Sequence, residues 1–216
     1  MDSIIQDLIK WINAQKKHVI IGITGHGGAG KSTFAEHLKR ALNQDVNLIC
    51  TDPYIVSSAL RKDTKITYTY QNKVRTAKMT ACHPLAHYVE ALERDIQMTQ
   101  AGMAWNTVDT DYLPSKRVDP NKKLTIMEGM SIAFVNPDYL DLQIYLYTDG
   151  ETELNRRSSR DPVKRSRNLT DIQKSHQERR IQYRHFMDQY KRRADIILFT
   201  DGNGQHIEKK EWRIRV

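Results

Sequence analysis

The stretch VIIGITGHGGAGKSTFAEHL, residues 19–38, decides the fold. An apolar run from Val19 to Ile23 reads as a buried strand, and Lys31 to Leu42 reads as a helix. Between them come Gly25, Gly27, Gly28 and Gly30, followed by Lys31 and Ser32. Glycines favour neither a strand nor a helix, so something must pass too close to this backbone for side chains to be present. Gly25, Gly30, Lys31 and Ser32 match G-x-x-x-x-G-K-[ST], with a strand before and a helix after, which is the context that motif needs. Successive N–H groups of residues 26–32 can curl around a phosphate, with the helix dipole behind them. A Cβ would block either the positive φ or the close approach. Lys31 can reach the β- and γ-phosphates, and Ser32 can ligate Mg²⁺.

Further apolar runs lie at 46–50, 123–129, 142–149 and 194–202, without clean alternation. Helical patterns fall at 2–16 (Ile4, Ile5, Leu8, Trp11 and Ile12, capped by Asp2 or Ser3), 84–100, 151–160 and 169–191. Strands alternating with helices predict an α/β fold with a parallel sheet covered on both faces. Residues 57–80 are polar and carry no clear pattern. With no repeat or linker, the 216 residues read as one domain, 1–216. Within it, 1–17 is an N-terminal helix, 53–82 an insert able to cover an acceptor, and 161–170 a lid.

The longest apolar runs are far short of the ~20 residues a membrane span needs. The N-terminus MDSIIQDLIKWI lacks the apolar core of a secretory signal. Two separated cysteines, Cys50 and Cys82, suggest a reduced, cytoplasmic protein. The net charge of +8 points to a nucleic acid or to a charged small anion. Basic clusters at 156–167 and 179–193 lack interleaved stacking aromatics, which disfavours a polynucleotide. A homo-oligomer stays open.

Ligands of an open parallel sheet bind beyond the carboxyl ends of its strands. Asp52, Glu128 and Asp149 sit at three such ends. Asp52 is the candidate base, since its strand is expected to neighbour the glycine-rich one; the alternative is a helix cap before Pro53. Glu128 can hold Mg²⁺ through water or contact an acceptor, or it is a turn residue before Gly129. Asp149 reads as a cap for the helix at Glu151. In RRSSRDPVKRSR, 156–167, Asp161-Pro162 should break the helix. A short loop carrying Lys164, Arg165 and Arg167 would then close over transferring phosphate. The alternative is a solvated basic helix end. There is no N-K-x-D motif, which weighs against a GTPase.

The chain resembles the uridine kinase and phosphoribulokinase family of P-loop kinases. The resemblance rests on GITGHGGAGKST, TD at 51–52, HPLAHYVEAL at 83–92, IMEGM at 126–130, the segment 142–161 and RADIIL at 193–198. It implies a P-loop NTPase three-layer α/β/α fold with a five-stranded parallel sheet and an Arg-rich lid. It also implies ATP with Mg²⁺ and a small-molecule hydroxyl acceptor. The implied nucleotide-binding residues are Gly25, Gly27, Gly28, Ala29, Gly30, Lys31, Ser32 and Thr33, and the implied metal ligands are Ser32 and Glu128. Asp52, Lys31, Arg160, Arg165 and Arg167 would be catalytic. Asp52, Glu128, Asp111, Tyr112 and Arg157 would face the acceptor. Ser166 stands where the lid glycine is usual, Cys82 stands for the Asp before His-Pro, and Ser115 lies where a base-reading histidine is expected. The expected acceptor is a uridine- or cytidine-like nucleoside. The alternatives are another hydroxyl compound (pentose phosphate, pantothenate, glycerate) or a regulatory module that binds nucleotide with little catalysis.

Overall fold

The computed structural model describes residues 2–165, 169–202 and 204–212. In chain order the elements are α1 (Asp2–Ala14), β1 (Val19–Thr24), α2 (Lys31–Leu42), β2 (Asn47–Cys50), β3 (Lys65–Tyr70), β4 (Lys73–Lys78) and α3 (Val89–Gln100). There follow β5 (Trp105–Asn106), β6 (Arg117–Val118), β7 (Leu124–Glu128), β8 (Leu142–Tyr147), α4 (Gly150–Arg165), α5 (Leu169–Gln182), β9 (Ile196–Thr200) and β10 (Gln205–Lys210).

The central sheet runs β10-β9-β8-β1-β7-β2. The five strands from β9 to β2 are parallel, as the apolar runs predict. The sixth, β10, pairs antiparallel with β9 and went unread. QHIEKK is a polar, mostly exposed edge strand with no apolar run to mark it. One expectation about neighbours is overturned: β2 pairs with β7, not with β1. The glycine-rich strand is therefore flanked by β7 and β8, and Glu128 is in register with Ile23.

Period-two side chains divide between the faces. Ile21 and Ile23 join Leu8, Ile12, Phe34 and Leu38 of α1 and α2 on one side. Ile20 and Met127 join Leu92 and Ile96 of α3 on the other. These two cores hold the strand ends rigid beneath the loops.

The structure corrects three helical boundaries. Residues 84–86 form a single 3₁₀ turn, and α3 begins at Val89. α4 continues through Asp161-Pro162 to Arg165, because the proline ring removes only the bond to the Ser158 carbonyl and the neighbouring turns persist. The helix after Leu169 changes winding at Tyr183–Met187, a π segment that turns both Tyr183 and Met187 into the core. The unread 57–80 stretch holds the β3–β4 hairpin, whose turn residues Gln71 and Asn72 have φ of 51° and 59°.

Candidate active site at the phosphate loop

The loop between β1 and α2 has the backbone its glycines foretold. Gly25, Gly28 and Gly30 have φ of 136°, 86° and 95°. Gly30 caps α2 without any side-chain hydrogen bond, so the first N–H groups of the helix are left for an anion. Lys31 Nζ donates to the His26 carbonyl at 3.0 Å, folded along its own loop.

Ser32 Oγ donates to Glu128 Oε1 at 2.9 Å, so the two proposed metal ligands meet. Both are hard oxygen donors, and no cluster of three or more His, Cys, Asp or Glu side chains able to hold a metal exists among the described residues. That fits Mg²⁺, which takes one or two protein ligands and completes its shell with phosphate and water. Burial pushes the Glu128 carboxyl up, the Lys31 ammonium opposes this, and the Asp52 charge adds to the rise. Burial, reinforced by Asp52 and Glu128, pushes the Cys50 thiol up to about 12. Asp52 opens a 3₁₀ turn, Asp52–Tyr54, with Thr51 in the cap position. It is not the cap that spacing allowed. Thr51 N–H donates to the Glu128 carbonyl at 2.8 Å, which brings the two acids to one edge of the loop. Asp149 does cap: its carboxylate accepts from Thr152 N–H and Oγ, both at 2.7 Å.

Residues 20–203 match the model of the phosphoribulokinase / uridine kinase family. The chain belongs to that family. It is 28% identical over 204 residues to the uridine kinase of Limosilactobacillus reuteri, across 90% of this chain and 88% of that one. It is 26% identical over 188 residues to the phosphoribulokinase of Synechocystis sp., across 83% of this chain and 53% of that one. The solved phosphoribulokinase from Rhodobacter spheroides shares the fold, with a TM-score of 0.57 at 20% identity over 86% of this chain and 71% of that one. Membership makes this a P-loop kinase, a phosphotransferase acting on a hydroxyl group. No helix among the described residues is long and apolar enough to cross a membrane.

Within this family frame the remaining expected residues fall in different places. Arg157 is buried beneath the loop, where a Cβ on Gly28 would lie 3.5 Å from its Cγ. The side chains of Arg160 and Arg165, and all of Arg167, lie outside the described residues, as does Ser166. A cavity of about 300 Å³ is lined by Glu128, Cys50, Leu113 and Pro114, among others. Asp111 and Tyr112 are exposed and do not line it.

The sequence reading missed the support under the loop. His26 is 1% exposed, and burial pushes its imidazole down to about 4 despite the Glu153 carboxylate. Its Nε2 accepts from Thr148 N–H at 3.0 Å, so the proton sits on Nδ1 and is donated to the Gly27 carbonyl at 2.9 Å. Arg180 donates to Glu153 at 3.0 Å. Arg156 donates to the Gly28 carbonyl at 3.2 Å and to Thr200 at 3.0 Å, tying the loop to β9. Burial would raise Glu153, but His26, Arg179 and Arg180 outweigh it and hold the carboxyl below its usual range. The visible signal was the i, i+3 and i, i+4 spacing of Glu153 from Arg156 and Arg157 on one helix.

Proposed function

We propose that the chain transfers the γ-phosphoryl group of ATP, with Mg²⁺, to a hydroxyl of a small acceptor, and that Asp52 is the base. The meeting of Ser32 and Glu128 at the loop, with Asp52 beside them, carries this reading. Mg²⁺ held by Ser32 and Glu128 would neutralise charge on the β- and γ-phosphates. The loop N–H groups of residues 25–33 and Lys31 would cradle those phosphates. Asp52 takes the acceptor's hydroxyl proton, its oxygen bonds to the γ-phosphorus, and the bond to the bridging oxygen of ADP breaks. Arg160, Arg165 and Arg167 are assigned to closing over the transferring group. Asp111 and Tyr112, both exposed, are assigned to the acceptor side, whereas Arg157, buried beneath the loop and within ion-pair distance of Glu153, is assigned to supporting the loop instead. The expectation of uridine is supported by the names of relatives rather than by a residue of this chain.

Asp52→Asn tests the mechanism. Turnover should fall by roughly 10³ or more, with ATP affinity within about twofold of the parent. Full ADP release by the variant would remove Asp52 from the role. ATP binding without acceptor-dependent ADP release in the parent would favour a regulatory module.

A further inference from the structure

Asp52 stands on a single 3₁₀ turn, Asp52–Tyr54, and one turn closes too few hydrogen bonds to hold itself rigid. The chain around His87 holds it from behind. Tyr88 N–H donates to the Tyr54 carbonyl at 2.8 Å and Val56 N–H to the Ala86 carbonyl at 2.9 Å, which sets His87 antiparallel to Ile55. The His87 ring fastens this backbone to two further segments. Its Nε2 lies 2.8 Å from the Ala81 carbonyl, and its Nδ1 lies 2.8 Å from Ser131 Oγ. Ser131 Oγ in turn lies 3.3 Å from the carbonyl of Thr51, the residue before Asp52. One imidazole is thus tied to the turn at both ends, through backbone at 54–56 and through Ser131 at Thr51.

The partners of the ring fix its tautomer. A carbonyl can only accept, so Nε2 carries the proton and Nδ1 accepts from Ser131 Oγ. Burial keeps the ring neutral: it pushes the imidazole down to about 4, helped by Arg61 and His83 and opposed by Asp52. The single Ser131 proton cannot serve two acceptors, and the contact to His87 is the shorter. The Thr51 carbonyl is therefore left to Tyr54 N–H, at 3.1 Å, the bond that closes the Asp52 turn. His87 and Ser131 are both buried, so their influence on an acceptor passes through the residues they hold. Two of the three attachments of His87 end beside the candidate base.

We propose that His87 is a positioning residue: through Ser131 and its own backbone it fixes the turn that aims the Asp52 carboxylate at the acceptor hydroxyl. This rests on the kinase reading with Asp52 as base and names what orients that base. The test is ADP release with Mg·ATP and whichever of uridine, cytidine, ribose 5-phosphate, pantothenate and glycerate the parent turns over fastest. His87→Phe keeps a ring against Phe134, whose centroid lies 4.6 Å away, and loses both side-chain bonds. His87→Phe and Ser131→Ala should each lower kcat by about tenfold, with the KM for ATP within about twofold. The two act through one contact, so the double variant should lose no more than about threefold beyond the worse single, where independent effects would multiply to about a hundredfold. His87→Gln, able to keep the donor to Ala81, should recover part of the loss. Should His87→Phe fail to fold, Ser131→Ala carries the test alone. Nitrogen NMR of the imidazole at pH 7 should show the proton on Nε2, and a proton on Nδ1 overturns the proposal. A lower urea midpoint with kcat unchanged also overturns it, since that is the mark of a structural histidine. So do losses that multiply in the double variant, and so does a rise confined to the KM for the acceptor. Asp52→Asn separates the two readings: if it is inactive while the His87 and Ser131 variants run at the parent rate, only the proposal falls. Full turnover by Asp52→Asn, or no ADP release by the parent with any acceptor, overturns both.

Discussion

Gly25 and Gly129 are glycines for reasons that can be put in ångströms. A Cβ on Gly25 would stand 1.7 Å from the Leu146 carbonyl oxygen, at a φ of +136°. One on Gly129 would stand 2.0 Å from Thr51 Oγ1, at a φ of +153°. Neither neighbour is the end of a flexible chain, so β1 would have to separate from β8, and β7 from β2, at the point where the site is assembled. Gly25→Ala should cost about 3 kcal/mol or more in urea unfolding and abolish nucleotide binding. Gly202→Ala, whose added Cβ meets nothing within 4 Å, should unfold within about 0.5 kcal/mol of the parent.

Among the elements, the β3–β4 hairpin shows how polar residues dock a segment that has little apolar surface. Gln182 of α5, fully buried, accepts from Thr80 N–H at 2.9 Å and donates to the Lys78 carbonyl at 2.9 Å. Tyr68 donates to Glu178, which also accepts from Arg75 at 3.2 Å, while the Tyr68 ring stacks on His185 with centroids 5.1 Å apart. Removing the buried Gln182 amide leaves the Thr80 N–H and the Lys78 carbonyl without this partner. Gln182→Ala should therefore lower stability by about 1–3 kcal/mol, and amide exchange should rise first in residues 65–80. The π segment that follows serves the same junction from inside, since it sets Tyr183 edge-on to His26 at 4.5 Å beneath the phosphate loop.

For the molecule as a whole, two buried imidazoles link folding to pH. His26 faces Glu153, Arg180 and Lys31, and His87 faces Arg61, Asp52 and His83. Burial is the largest influence on each and pushes both down to about 4 from 6.5. Between those values the unfolded chain binds protons that the folded chain refuses. Stability is therefore complete above about pH 6.5 and falls as pH is lowered towards 4, by up to roughly 3 kcal/mol per imidazole. Urea midpoints measured from pH 7.5 to 4.5 should drop across this window, and His26→Gln should show a shallower slope.

The sequence by itself determined the phosphate loop and the five parallel strands. These are legible because a buried parallel strand is a continuous apolar run, and because a loop that wraps an anion must drop its side chains at fixed spacing. Chemistry there is written into neighbouring residues. What only the tertiary structure decided lies far apart in the chain. It placed β2 beside β7, added a polar edge strand with no apolar signal, and docked the hairpin on α5. It brought His26, Glu153 and Arg180 together across more than a hundred residues. In the sequence Arg180 is one basic residue in a basic cluster. Its meaning comes from the carboxylates and acceptors that surround it, and those are set by packing, because a charge is specified by its neighbours in space rather than by its neighbours in the chain.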